Sequence, residues 1–152
     1  MKKNNGFTLA EVMIIVAIMG VLASIVGISM GVVFGQRVKS IAADTKALFQ
    51  STQTVAFGRD DAYIELTQSN GVVHITAYSS TNNVINEVEG RNVQMTIYFS
   101  DNTSSASAEI HFNRQTGGLA ATNGKYVSRI VFENGTKTVT LNVSRLTGKV
   151  TY

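Results

Sequence analysis

The residue with the clearest chemistry to do is Glu11. It is the only charge in an apolar run that begins at Phe7, and none follows it until Arg37. A carboxylate at membrane depth costs roughly 2.5–3.5 kcal/mol, so such a group has a functional reason to be there. Just ahead of it lie Lys2, Lys3 and Gly6-Phe7. The other titratable groups are sparse. His74 and His111 are the only histidines, and neither lies in an H-x-x-x-H or H-E-x-x-H spacing. Alternation puts His111 on one face with Glu109, a solvated or structural role rather than a metal site. Asp60-Asp61 reads as a solvated acid pair beyond a helix end. With no cysteine there is neither disulfide nor thiolate ligand. No nucleophile elbow, phosphate loop or dinucleotide fingerprint occurs in a fitting context, so neither an enzyme nor a cofactor is expected. Asn102-Thr103-Ser104, Asn134-Gly135-Thr136 and Asn142-Val143-Ser144 fit a glycosylation pattern but read as turn and strand residues.

Four basic residues fall late in the chain: Arg129, Lys137, Arg145 and Lys149. They are candidate phosphate contacts. Glu133 sits among them. The formal charge is +3, or +1 without Lys2 and Lys3. That balance argues against a general nucleic-acid binder.

The elements that position these groups are legible. From Phe7 to Gln36 the run is long enough, at about 1.5 Å per residue, to cover a hydrocarbon core of about 30 Å. Gly27, Gly31 and Gly35 recur every four residues and share a face, where small residues let helices approach closely. The same glycines also weaken the helix locally. Beyond Arg37, Val38, Ile41, Ala42, Leu48, Phe49, Val55 and Ala56 form a stripe, while Arg37, Lys39, Asp44, Lys46 and Gln53 lie mostly elsewhere. The helix therefore continues to about residue 57 as an amphipathic segment, with Gly58 as its C-cap.

From there the period becomes two. Strands are expected over 62–67, 73–78, 84–88, 93–99, 108–112, 126–132, 137–143 and 149–152. Turns fall at Ser69-Asn70-Gly71, 100–105, Asn123-Gly124, Glu133-Asn134-Gly135 and Thr147-Gly148. One face of each strand is apolar, as in antiparallel sheet, and the helix stripe supplies a cover. The fold class is α+β: an N-terminal helix packed on antiparallel strands. The organisation is a short basic stretch over 1–6, an apolar helix over 7–36, its amphipathic continuation over 37–57, and a β-rich head over 58–152.

The segment Gly6-Phe7-Thr8-Leu9-Ala10-Glu11 resembles the processing site of type IV pilins and type II secretion pseudopilins. The resemblance makes the basic stretch over 1–6 a prepilin leader, and implies that a prepilin peptidase cuts between Gly6 and Phe7 and methylates Phe7. It implies that Glu11 pairs with the new amino terminus of a neighbouring subunit and sets the register of assembly. The implied partners are other pilin or pseudopilin subunits, the peptidase, an inner-membrane assembly platform, and lipid before assembly. The implied location is a single-pass inner-membrane protein with its N-terminus inside and its head outside, then an extracellular pilus or periplasmic pseudopilus. A plain signal peptide fits less well, because no small-residue cleavage site follows the apolar run.

The chain departs from the family in two ways. It has no proline, whereas many major pilins carry one in the membrane segment, at about the place of Gly27 and Ile28. It also cannot form the C-terminal disulfide of many pilins. Both favour a minor pilin or pseudopilin. Phe112-Asn113-Arg114-Gln115-Thr116-Gly117, a hairpin, and Leu146-Thr147-Gly148-Lys149-Val150 further resemble minor pseudopilins of the H type and FimT-like minor pilins. The alternatives are a major pilin or a DNA-binding minor pilin of an uptake pilus.

Overall fold

The computed structural model describes residues 8–57, 61–80, 82–135 and 137–152, with the side chains of residues 25–34 outside that set. The chain divides into two units, Met1–Val33 and Phe34–Tyr152. One helix, α1, runs Leu9–Ala56 and contributes to both.

In the first unit, every described side chain from Thr8 to Ser24 is exposed, including Leu9, Met13, Ile14, Val16 and Met19. A helix apolar on all sides belongs in lipid or among other helices. Among the described residues, no helix is long and apolar enough to cross a membrane. The described side chains of the run stop at Ser24, short of the roughly 20 residues a span needs. The expected span over 7–36 extends beyond them.

In the second unit, the later turns of α1 bury Val38, Ile41, Ala42, Leu48, Phe49 and Ala56. This is the stripe that the spacing predicts. Two polar residues complete it. Thr45 and Thr52 are fully buried, and their hydroxyls donate to the carbonyls of Ile41 (2.6 Å) and Leu48 (2.8 Å). Bonding back one turn satisfies the oxygen and leaves the methyl to pack.

The strands form two sheets. In the first, β1 (Tyr63–Ser69) and β2 (Val72–Tyr78) make a two-residue hairpin. Its loop is Asn70-Gly71 with φ of 52° and 73°, the turn whose twist matches paired strands. Next to β2 lies β3 (Val84–Arg91), with an irregularity at Ala77/Tyr78. The chain then crosses to the second sheet through Asn92, whose φ is 59°. There it forms β4 (Gln94–Phe99) and the two-residue β5 (Ser104–Ser105). It returns as β6 (Ala108–His111) to pair with β1. Finally β7 (Val127–Glu133), β8 (Thr138–Val143) and β9 (Val150–Thr151) complete the second sheet. The orders are β3-β2-β1-β6 and β5-β4-β7-β8-β9, antiparallel throughout.

Register puts apolar residues on one face of each sheet. Ile64 opposes Ala77 and Ile110, and Leu66 opposes Ile75. In the second sheet Ile97 opposes Ile130, which opposes Leu141. All are buried. Phe49 of α1 meets Phe112 edge to face, with centroids 6.1 Å apart. A Cβ on Gly90 of β3 would lie 2.1 Å from Cδ1 of Ile41, so β3 approaches the helix where it lacks a side chain.

The last turn of α1 clamps two loops. Gln53 Nε2 donates to the carbonyls of Gly117 (2.7 Å) and Thr147. Leu119 N donates to the Arg145 carbonyl at 2.8 Å, tying the loops together. A Cβ on Gly118 would lie 2.6 Å from the carbonyl oxygens of Arg145 and Leu146. The segments Phe112–Gly117 and Leu146–Val150 thus meet at one point. Gly148 has φ 64°, and a Cβ there would stand 2.4 Å from the Gly117 carbonyl oxygen. Gly148→Ala is expected to destabilise the head by more than the roughly 1–2 kcal/mol of left-handed strain alone. A thermal melt of the detergent-solubilised chain checks it, and an unchanged midpoint would show that the loop gives way freely.

Candidate functional site

The start of α1 is built from Thr8 and Glu11. The backbone N–H of Thr8 donates to Glu11 Oε2 at 2.8 Å. The Thr8 hydroxyl donates to the same oxygen at 2.9 Å. In return Glu11 N–H donates to Thr8 Oγ1 at 3.3 Å. This is a capping box, in which two helix-end donors find partners reciprocally. The acid also lies at the positive end of the helix dipole. The S/T-x-x-E pattern ahead of an apolar run was available in the sequence. Glu11 reads there either as the partner of a neighbour's terminus or as an acid at its own helix start favoured by the dipole, and neither reading includes the reciprocal bonds with Thr8. Both side-chain bonds converge on Oε2. Oε1 faces no donor among the described residues, so the exposed carboxylate retains an oxygen for a cation from elsewhere.

Gly6 and Phe7 lie outside the described residues. Gly27 and Gly31 are helical, with their surroundings outside the described set. Gly35 is buried, and a Cβ there would meet Cδ of Lys137 at 3.3 Å. The aliphatic stem of Lys137 therefore covers this helix position within its own head.

The four basic candidates divide. Arg129 lies on the outer face of β7, opposite Tyr98 and Asn142, with its guanidinium 4.1 Å from the Tyr98 ring centroid. Arg145 stacks over Tyr126 at 5.2 Å. Lys149 closes the same turn, its carbonyl accepting from Ser144 N–H. Lys137 is at the other end of β8. Three of the four therefore share one end of the sheet, and two of those stack on tyrosine rings.

His111 Nε2 contacts Glu109 at 2.8 Å, and His74 Nδ1 faces Glu87 at 3.6 Å. Among the described residues no group of His, Cys, Asp and Glu is placed to hold a metal. Asp61 pairs with Arg114 at 2.7 Å. Asp60 is outside the described residues. Asn102, with φ 64°, occupies a turn, whereas Asn142 lies in β8.

Residues 1–27 match the family model for the prokaryotic N-terminal methylation motif. The chain carries the prepilin-type motif of the type IV pilin and pseudopilin family, whose members are structural subunits rather than enzymes. Proteins with this motif are anchored in the inner membrane before they assemble into pili. No curated protein and no solved structure gives a significant match to the chain.

Proposed function

We propose that this chain is a filament subunit, a minor pilin or pseudopilin, cut between Gly6 and Phe7, methylated on Phe7, and assembled through α1. The observation that carries the reading is the methylation motif over residues 1–27, within which the described side chains of the apolar helical stretch, Thr8 to Ser24, are all exposed. Before assembly, lipid covers that helix. During assembly, on an inner-membrane platform, the helices of other subunits replace the lipid. Gly27 and Gly31 let those helices approach closely.

Glu11 sets the register. Cleavage leaves an ammonium on Phe7, and burial among apolar helices makes that charge costly. The free oxygen of Glu11 on a neighbour accepts it, and only one axial offset brings the two together. The pair need not add stability over apolar residues. Its use is that every other offset strands a charge.

The missing proline and disulfide favour a minor pilin or pseudopilin over a major pilin. Shearing filaments from cells and probing them for the chain tests the reading. A pilin is expected in the sheared fraction, and a pseudopilin in periplasmic complexes cross-linked to other subunits; a chain found in neither under assembling conditions would contradict the reading.

A second reading, a DNA-binding minor pilin, is favoured by one observation. Arg129, Arg145 and Lys149 share one end of a sheet with tyrosines under both arginines. Phosphate contacts of that kind lose affinity steeply as salt rises.

A further inference from the structure

The head carries two exposed patches of opposite character at the far edges of its two sheets. The first is β3, the outermost strand of the sheet β3-β2-β1-β6. It runs Val84–Arg91, is exposed along most of its length, and pairs on one edge only among the described residues. An unpaired edge is a template for another chain unless it is blunted. Val84 and Ile85 are 57% and 37% exposed there. Glu87 and Glu89 stand on the solvent face of the same sheet, with Glu65 and Glu109 on the neighbouring strands. Arg91 pairs with Glu89 at 2.7 Å, and His74 faces Glu87. Among the described residues of that face, Glu65, Glu87, Glu89 and Glu109 stand against Arg91, with Arg37 of α1 lining the groove beside Glu89. The Tyr63 phenol on that face is held above its ordinary pKa by desolvation first, then by Glu109, Tyr78 and Glu65.

The second patch is the turn between β8 and β9, at the far edge of the other sheet. Leu146 is 80% exposed at its tip, with Arg145 and Lys149 on either side of it in the turn and Arg129 nearby. Asp101, on the loop whose Ser100 N–H donates to the Tyr126 carbonyl at that end of the sheet, is tied to Lys125. Glu133 lies at the opposite end of β7.

We propose that the β3 edge of one head docks against the β8–β9 turn of a second copy of this chain. Leu146 seats on Val84 and Ile85, while Arg145 and Lys149 face Glu87 and Glu89. The partner is a second copy because one molecule carries both halves, apolar knob with cations and apolar seat with anions. Two different patches in contact make a heterologous interface, which propagates into a helix when it does not close into a ring. The contact is small. It suffices because helices held in one filament present the heads to each other at high effective concentration. This rests on the filament reading and adds that copies adjoin, so of the two subunit types proposed above it fits a pseudopilin present in neighbouring copies rather than a lone minor pilin.

The chain has no native cysteine, so engineered cysteines report without background. Full-length Ile85→Cys and Leu146→Cys chains are co-expressed in cells under mild oxidation, and sheared filaments are probed in parallel. A disulfide-linked dimer from the pair, with neither variant alone giving one in comparable yield, supports the proposal. Chain present in filaments without that dimer overturns it and leaves the filament reading standing. Dimer without filaments upholds the head contact and removes the filament reading, and absence of both removes both. In the cysteine background, Glu87→Arg or Arg145→Glu is expected to lower dimer yield roughly threefold, the scale of an exposed ion pair. The double variant restores it. Failure of that rescue, with melting midpoints unchanged, overturns the charge complementarity on which the proposal stands.

Discussion

Phe49→Ala is expected to collapse the head. Phe49 is almost wholly buried in α1 and meets Phe112 edge to face. Removing a buried phenylalanine costs about 3–5 kcal/mol, through lost transfer energy and the cavity left behind. A small domain is stable by about 5–15 kcal/mol in total, so this loss is a large share. The neighbouring Leu48→Asp should be worse, because it buries a carboxylate with no partner. Thermal melts of the detergent-solubilised chain read both. The expected order of midpoints is wild type, then Phe49→Ala, then Leu48→Asp with little cooperative transition left. Equal midpoints for all three would mean that α1 does not pack against the strands.

Glu11→Leu should leave membrane insertion intact and nearly abolish filament incorporation. Insertion becomes easier when an ionisable group leaves the apolar run. Assembly fails because the Phe7 ammonium of each neighbour loses its counter-charge, at about 3–5 kcal/mol when one partner of a buried pair is removed. The capping box offers a competing explanation, since Glu11→Leu also removes the acceptor of the Thr8 N–H. Two variants separate the effects. Glu11→Gln keeps a residue suited to the box but carries no charge. Thr8→Val keeps the charge but loses the hydroxyl. If pairing between subunits dominates, Glu11→Gln should incorporate poorly and Thr8→Val nearly normally. The reverse order in sheared filaments, at equal membrane levels, would assign Glu11 to its own helix start. A subunit at the filament tip has no neighbour above it and would tolerate all three.

Much of the head was legible because period-2 alternation reports a face directly. Ile64, Leu66, Val73, Ile75 and Ala77 alternate in the sequence, and all are buried. The Asn70-Gly71 and Asn134-Gly135 turns were legible because tight hairpins need positive φ, which Asn70, Gly71 and Gly135 supply at little cost. The hairpin of 126–132 with 137–143 was legible from the turn between them, but pairing between strands distant in the chain was not. Alternation shows which way a side chain points but not which strand lies beside it. The pairings β1 with β6 and β4 with β7 span long loops, and they split the strands into two sheets. β5 escaped because two serines in a polar stretch have no pattern to read. Thr45 and Thr52 escaped because a hydroxyl counts as polar until its bond to the carbonyl one turn back is visible. At the N-terminus, the Gly6-Phe7 junction and Glu11 were legible as a motif. The box between Thr8 and Glu11 needed the helix to start at Leu9 before its geometry could be seen.

The central claim is that this chain is a processed prepilin, and the mass of its mature form tests that most directly. The membrane form is purified from cells that contain a prepilin peptidase, and its intact mass and N-terminal peptide are measured. The account predicts a chain beginning at Phe7, with one methyl group on its amino nitrogen. A chain that still begins at Met1, or one cut beyond the apolar run after residue 30, would contradict it.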